Sequence, residues 1–494
     1  MTTSAGIALA LALASAALTA PAAGAAGSSA PALDWQKCGP AGLRQECATL
    51  SVPLDYAEPD GRRVPLAVSR ILSDRPEARR GVLLVVPGGP GGSGVQRLSA
   101  KGEALGKELG GAYDLVAFDP RGVGGSMKAD CGLADDDRRL VNLRSWPAAD
   151  GSIDASVERS RRTAEACARN GGAELRSLTT ANQVRDLDRL RAALGEEKVS
   201  VWGVSYGTYV TAQYAQKFPH RTDRLVLDSS ADPNPRTVAQ GWLRGMARGA
   251  EDRFPDFAAW AAHPDRAKDG LRLADRAEDV RPLVLDLAAR LDREPKPSTT
   301  AGVPLTGNLL RQALQMALYS DSQFEGLARL IQQAAAPAGT PAGTPVLPPA
   351  LSGPMPGSDA AVTVGVICND VKWRGSVRSY ERAVVADRAA YPLTAGMPAN
   401  ITPCSFWKGG PVEKPTRITD EGPSNILMIQ SLRDPATPHS AGLKMREALG
   451  AKARLVSVDH GGHGMYLGNG NACGDRTVTR FLLTGERPAT DVDC

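Results

Sequence analysis

A serine, a histidine and a carboxylate can together break an acyl bond, provided the histidine reaches the serine hydroxyl and the carboxylate orients the histidine. The sequence offers such a set in Ser205, Asp434 and His463. Ser205 sits in "VWGVSYGTYV", between Gly203 and Gly207. With 52 glycines in 494 residues, one G-x-S-x-G is expected by chance about 0.3 times, so the pattern alone assigns nothing. The histidines narrow the choice, because there are only five. His220 follows Pro219 at a helix end, and His263 lies in the polar stretch "AAHPDR". His439 falls in the first turn of a helix for which Thr437 is a natural N-cap and Pro438 a natural first residue. His460 and His463 remain, in "VDHGGHGMYL" after the strand-like "ARLVSV". The glycines flanking His463 allow a sharp turn, which makes it the preferred base and leaves His460 as a supporting or surface group. Asp434 stands where "NILMIQS" runs into "LRDP"; Asp459 is its rival, but adjoins the histidines on the same strand end.

A second requirement is a pair of donors for the oxyanion that forms on the attacked carbonyl. The backbone N–H of Tyr206, the residue after the serine, is one. The glycine-rich "VVPGGPGGSG" supplies the other from Gly89 or Gly88, since Pro90 has no N–H to give. That loop lacks a following G-K-[ST] and the G-x-G-x-x-G spacing, so it does not read as a phosphate cradle.

These residues need elements to carry them. From about residue 36 to 235 the chain alternates strand-like and helix-like segments, the pattern of a parallel sheet with crossover helices. "RRVPLAVSRIL", "GVLLVVPGG" and "YDLVAFDPRG" read as strands. "TTANQVRDLDRLRAALG" reads as a helix capped by Thr180 and stopped at Gly195, with Val184, Leu187, Leu190 and Leu194 on one face. "KVSVWGV" then predicts a strand and "YGTYVTAQYAQKFP" a helix, which puts Ser205 at a strand-to-helix junction. "DRLVLDSS" is a further strand. Residues 236–414 are mostly helical in pattern and include the Pro/Gly-rich tract 336–357, expected to be a surface loop. Strand-like segments return in 415–494, so the simplest architecture is one α/β core, 36–235 plus 415–494, with a helical insertion.

The 58 basic and 54 acidic residues nearly balance, and no Lys/Arg block points to nucleic acid. The N-terminal "GIALALALASAALTAPAAGAAGSSA" has the apolar run and small-residue sites of a secretory signal peptide, assigned to residues 1–26, although no Lys or Arg precedes Lys37. Its apolar part is shorter than the roughly 20 residues of a membrane-spanning helix, so no membrane insertion is expected after its removal. Eight cysteines without a C-x-x-C pair or histidine-rich neighbours argue against a metal site and for disulfides in an oxidising compartment. Short loop closure suggests Cys38–Cys47, Cys131–Cys167, Cys368–Cys404 and Cys473–Cys494. No cofactor is expected.

Taken in order, "PGGPGGSG", "FDPRGVGGS", "TTANQVRDLDRLRAALG", "VWGVSYGTYV", "RLVLDSSADP" and "GGHG" with a late cysteine resemble the secreted tripeptidyl aminopeptidases of actinomycete bacteria, relatives of proline iminopeptidase among the α/β-hydrolases. The similarity spans nearly the whole chain after residue 26. It implies an α/β-hydrolase fold with a helical cap at 236–414, and the roles of nucleophile, acid and base for Ser205, Asp434 and His463. Pro87 departs from the histidine usual in the proline iminopeptidase "HGGPG". The expected function is that of a secreted serine exopeptidase releasing short peptides, tripeptides foremost, from free N-termini. The alternative is a carboxylesterase or amidase using the same triad on small acylated metabolites. An aminopeptidase needs a carboxylate for the substrate ammonium; Asp370 in "VGVICNDVKW" is the first choice, with Glu251 or Asp252 as alternatives. The chain is expected to act as a monomer.

Overall fold

A computed structural model describes residues 33–337, 343–411 and 413–494, besides the first two residues. The signal-like segment, from its third residue on, and the middle of the Pro/Gly tract lie outside the described residues. Residues 33–494 form one compact unit. Its sheet comprises β1 (Gln36–Lys37), β2 (Gln45–Pro53), β3 (Arg63–Ile71), β4 (Val82–Val86), β5 (Asp114–Phe118), β6 (Val199–Val204), β7 (Thr222–Asp228), β8 (Ile426–Arg433), β9 (Ala453–Gly461) and β10 (Val492–Asp493).

The strands run in the order β1-β2-β3-β5-β4-β6-β7-β8-β9-β10. Pairing is antiparallel from β1 through β3 to β5 and parallel from β5 to β10. The central strands read as unbroken apolar runs because both faces are covered: every residue of β4 and β6 is buried. Helices Gly94–Glu108 and Ala472–Thr484 pack on one face, and Thr180–Ala193, Tyr206–Lys217 and His439–Leu449 on the other.

Chain order reverses between β4 and β6, which are hydrogen-bonded neighbours with Val86 opposite Gly203. Such a switch point opens a crevice at the carboxyl ends of the strands, where ligands bind in open α/β sheets. Between β7 and β8 the chain makes a helical excursion, with helices Val238–Ala262, Ala277–Arg293, Gly307–Ala317, Phe324–Ala335, Gly357–Asp370 and Val377–Ala390. The first four share a core of their own, around Phe254, Phe257, Leu287, Leu310 and Phe324.

Two helix starts differ by one residue from their expected positions. Thr179, not Thr180, caps the helix Thr180–Ala193, its side chain accepting the Asn182 N–H, because the Thr180 hydroxyl is used elsewhere. Pro438 occupies the cap position of His439–Leu449, and Thr437 is freed for the site. The cysteines pair as Cys38–Cys47, Cys131–Cys167, Cys368–Cys404 and Cys473–Cys494, as loop closure suggested. No helix among the described residues is long and apolar enough to cross a membrane.

Candidate active site

Ser205 stands between β6 and the helix Tyr206–Lys217 with φ 59° and ψ −124°, a conformation that costs a non-glycine residue about 1–3 kcal/mol. The neighbours over-determine it. The Ser205 N–H donates to Asp228 O at 2.9 Å, tying the turn to the end of β7. A Cβ on Gly203 would lie 2.3 Å from Thr211 Oγ1, and one on Gly207 would lie 2.5 Å from Val86 O. The glycines on either side of the serine are therefore demanded by close approach of strand and helix. Gly88 meets the serine from the other side, where an added Cβ would fall 2.8 Å from Ser205 Cβ and 3.3 Å from its Oγ. The glycine-rich loop after β4 thus lies directly on the Ser205 side chain. Tyr206, as the first helical residue, has an N–H with no intrahelical acceptor.

Asp434 follows β8 and is fully buried. Its Oδ1 accepts the N–H groups of Ala436 and Thr437 at 2.8 and 2.9 Å, so it does form the turn before Pro435. The same carboxylate reaches His463 Nδ1 at 2.8 Å from Oδ2 and 3.0 Å from Oδ1. Thr437 Oγ1 donates to Asp434 Oδ2 at 3.0 Å and lies 3.4 Å from His463 Nδ1. Burial opposes charge on the imidazole, but Asp434 outweighs it and holds the His463 pKa above its ordinary value. The ring's Nδ1 is thereby occupied, leaving Nε2 as the atom able to take a proton.

The loop bearing His463 is positioned largely through its backbone. His463 N–H donates to Tyr319 O at 2.9 Å, Gly464 N–H to Ser229 Oγ at 2.8 Å, and Met465 and Tyr466 N–H to the Asp228 carboxylate at 2.7 and 3.0 Å. Asp228 also accepts the Trp202 indole N–H at 3.2 Å. Burial raises the pKa of Asp228 against these donors. A Cβ on Gly464 would touch the side chain of Val204, so the histidine loop lies beside the residue preceding Ser205. The Tyr319 ring meets the imidazole edge to face, with centroids 5.0 Å apart.

The other expected residues fall elsewhere. The Asp459 side chain is exposed and pairs with Arg433 at 2.6 Å. His460 Nδ1 is 2.6 Å from Gly461 O, and His439 Nε2 is 3.1 Å from Ser457 Oγ. Glu251 pairs with Arg281 and accepts the Leu393 N–H at 3.3 Å; Asp252 pairs with Arg248 at 2.8 Å. Asp370 Oδ1 accepts the Thr180 N–H at 2.9 Å, and its Oδ2 accepts the Thr180 hydroxyl. Burial pushes the Asp370 pKa up to about 6.

Four residues of the assembly escaped sequence reasoning: Asp228, Ser229, Tyr319 and Thr437. A signal for the first two existed in "LVLDSS", where an acid and two serines end an otherwise apolar strand, since buried polar groups must find partners. Tyr319 gave none, because its contact crosses from the helical excursion.

A strained serine elbow at the switch point of a mostly parallel sheet, with a buried Asp–His pair carried by later strand ends, defines an α/β-hydrolase. The family model described as "alpha/beta hydrolase fold" matches residues 81–303, and that described as "TAP-like protein" matches residues 391–494. The chain is 33% identical over 480 residues to a tripeptidyl aminopeptidase of Streptomyces coelicolor, covering 94% of this chain and 86% of that one. It is 29% identical to the serine protease Hip1 of Mycobacterium tuberculosis over 469 residues, covering 91% and 87%. It is likewise 29% identical to carboxylesterase B of that organism over 473 residues, covering 91% and 86%. The chain belongs to the tripeptidyl aminopeptidase family of α/β-hydrolases and is a serine hydrolase.

Proposed function

We propose that the protein is a secreted serine exopeptidase that releases short peptides, tripeptides foremost, from free N-termini. The observation that carries the chemistry is the buried Asp434–His463 pair at 2.8 Å, on a loop packed beside the Ser205 turn. Ser205 attacks the scissile carbonyl while His463 Nε2 takes its proton, and Asp434 stabilises the imidazolium through Nδ1. The oxyanion is received by the N–H groups of Tyr206 and Gly89. His463 then protonates the leaving amine, and water releases the acyl-enzyme. The helices of residues 236–414 act as a cap that limits access to short N-terminal segments. Export agrees with the signal-like start and with four disulfides, which persist in oxidising compartments.

The relationship to tripeptidyl aminopeptidases favours peptides, and the relationship to carboxylesterase B supports esters as a second reading. A panel of tripeptidyl and aminoacyl anilides with free and blocked N-termini, assayed beside short-chain aryl esters, separates the two. Cleavage lost on N-blocking is expected; turnover of esters alone would sink the exopeptidase reading. Labelling by a fluorophosphonate is expected for the wild type and absent in Ser205→Ala.

A further inference from the structure

Of three consecutive residues at the end of helix Gly357–Asp370, the first is anchored within the helical excursion and the next two tie it to the core. Cys368 is disulfide-bonded to Cys404. Asn369 Nδ2 donates to Leu175 O and Leu178 O at 2.7 and 3.0 Å, and its Oδ1 accepts the Trp407 indole N–H at 2.8 Å. These contacts fix the next residue, Asp370, whose two oxygens are taken up by the Thr180 N–H and hydroxyl. Thr180 Oγ1 in turn lies 2.7 Å from the Tyr206 hydroxyl. A carboxylate can only accept, so Thr180 donates its hydroxyl proton to Asp370 and presents its lone pairs to the Tyr206 hydroxyl, which also has Gln183 Oε1 as an acceptor at 3.2 Å. The direction of the Asp370–Thr180 bond is thus set at its acidic end.

Tyr206 is held on another side as well. Its ring meets Trp242 of helix Val238–Ala262 edge to face, with centroids 5.8 Å apart. The residue carrying the oxyanion N–H, adjacent to Ser205, is therefore clamped by two elements of the helical excursion.

We propose that Asp370 is a positioning residue which, through Thr180 and the Tyr206 hydroxyl, fixes the Tyr206 N–H and the Ser205 turn for oxyanion stabilisation. The inference rests on Ser205 being the nucleophile and Tyr206 N–H an oxyanion donor. It gives Asp370 a task other than holding the substrate's ammonium group, and it makes the seating of the helical excursion a condition for an assembled oxyanion site.

The test compares wild type, Asp370→Asn, Thr180→Val, Tyr206→Phe and the double variant Thr180→Val/Tyr206→Phe, each checked for an unchanged circular dichroism spectrum. The readouts are kcat and KM on a tripeptidyl anilide with free and with blocked N-terminus, and the rate of fluorophosphonate labelling. Thr180→Val and Tyr206→Phe are near-isosteric and remove only a hydroxyl from the chain. Each is expected to lower kcat and the labelling rate about tenfold, the scale of a small misplacement of a reacting group, with KM within twofold. The double variant is expected to be no worse than the more impaired single, because both break the same chain. Asp370→Asn is expected to lower kcat equally on every substrate the wild type accepts. The inference is overturned if Asp370→Asn raises KM only for free-amine substrates while Thr180→Val is silent, which would make Asp370 the ammonium partner. It is also overturned if all the variants match wild type. Failure of the wild type itself to be labelled at Ser205 would instead remove the underlying reading.

Discussion

At the scale of single residues, Asp434 is doing two jobs that usually fall to different side chains. It accepts backbone donors from Ala436 and Thr437 and also the His463 imidazole, so its carboxylate is fixed before the histidine arrives. Asp434→Asn keeps one oxygen for the turn but turns an NH2 group toward Nδ1, which forces the proton of a neutral imidazole onto Nε2. The fold should survive and kcat should fall on the order of 10³–10⁴-fold in steady-state assays. The pH profile follows from the same pair. In the proposed mechanism His463 must be neutral to accept the serine proton, and Asp434 raises its pKa. Activity is therefore lost as pH falls through a value above the ordinary histidine pKa of about 6.5. A kcat/KM profile with its acid limb centred below that value would contradict the pairing. The Asp434–His463 pair and the Ser205 turn were readable from sequence because few histidines compete and each of the three residues sits at a strand end. Thr437 was not, since a threonine before Pro438 is equally good as a helix cap, and only the third dimension shows it turned to the carboxylate.

At the scale of elements, the ends of β8 and β9 are joined to helix Val238–Ala262 through Arg433 and Asp256, and Asp256 is held in turn by Arg253. This guanidinium, 1% exposed, donates to Leu318 O at 3.1 Å, to Asp256 at 2.5 Å and to Asp321. Leu318 precedes the tyrosine whose carbonyl holds the His463 N–H. Asp256 also pairs with Arg433 at 2.9 Å, the residue before Asp434. Arg253→Met would strand these acceptors. The expected loss is roughly 2–3 kcal/mol in chemical denaturation, below the usual 3–5 for a broken buried pair because Asp256 keeps Arg433 and Asp321 is half-exposed. The central strands were legible because they are apolar and rich in valine, leucine and isoleucine. β2, "QECATLSVP", carries no clear strand signal because its outer face is polar and its place near the sheet edge leaves no continuous apolar run. The links between excursion and core are pairings of residues far apart in sequence, which periodicity cannot reveal.

At the scale of the whole molecule, the disulfides staple segments close in sequence, and none crosses between the two halves of the core. Cys368–Cys404 closes a span of 36 residues, for which chain entropy gives about 3–4 kcal/mol. A Cys368→Ser/Cys404→Ser variant is expected to lose that much stability, read as a lower midpoint in guanidinium, with a larger fall in labelling rate than Cys38→Ser/Cys47→Ser. Equal labelling by the two variants would mean that the Cys368 turn is not coupled to the site. β7 and β8 are neighbours in the sheet, yet residues 229–425 lie between them. A chain emerging N-terminus first must therefore hold the edge of β7 open until almost all of it has been delivered. The serine turn, resting on β6 and β7, can form early, whereas Asp434 and His463 arrive last. The order of emergence thus separates the proposed nucleophile from its proposed base in time, and on that reading the chain is chemically silent until its final strands close the sheet.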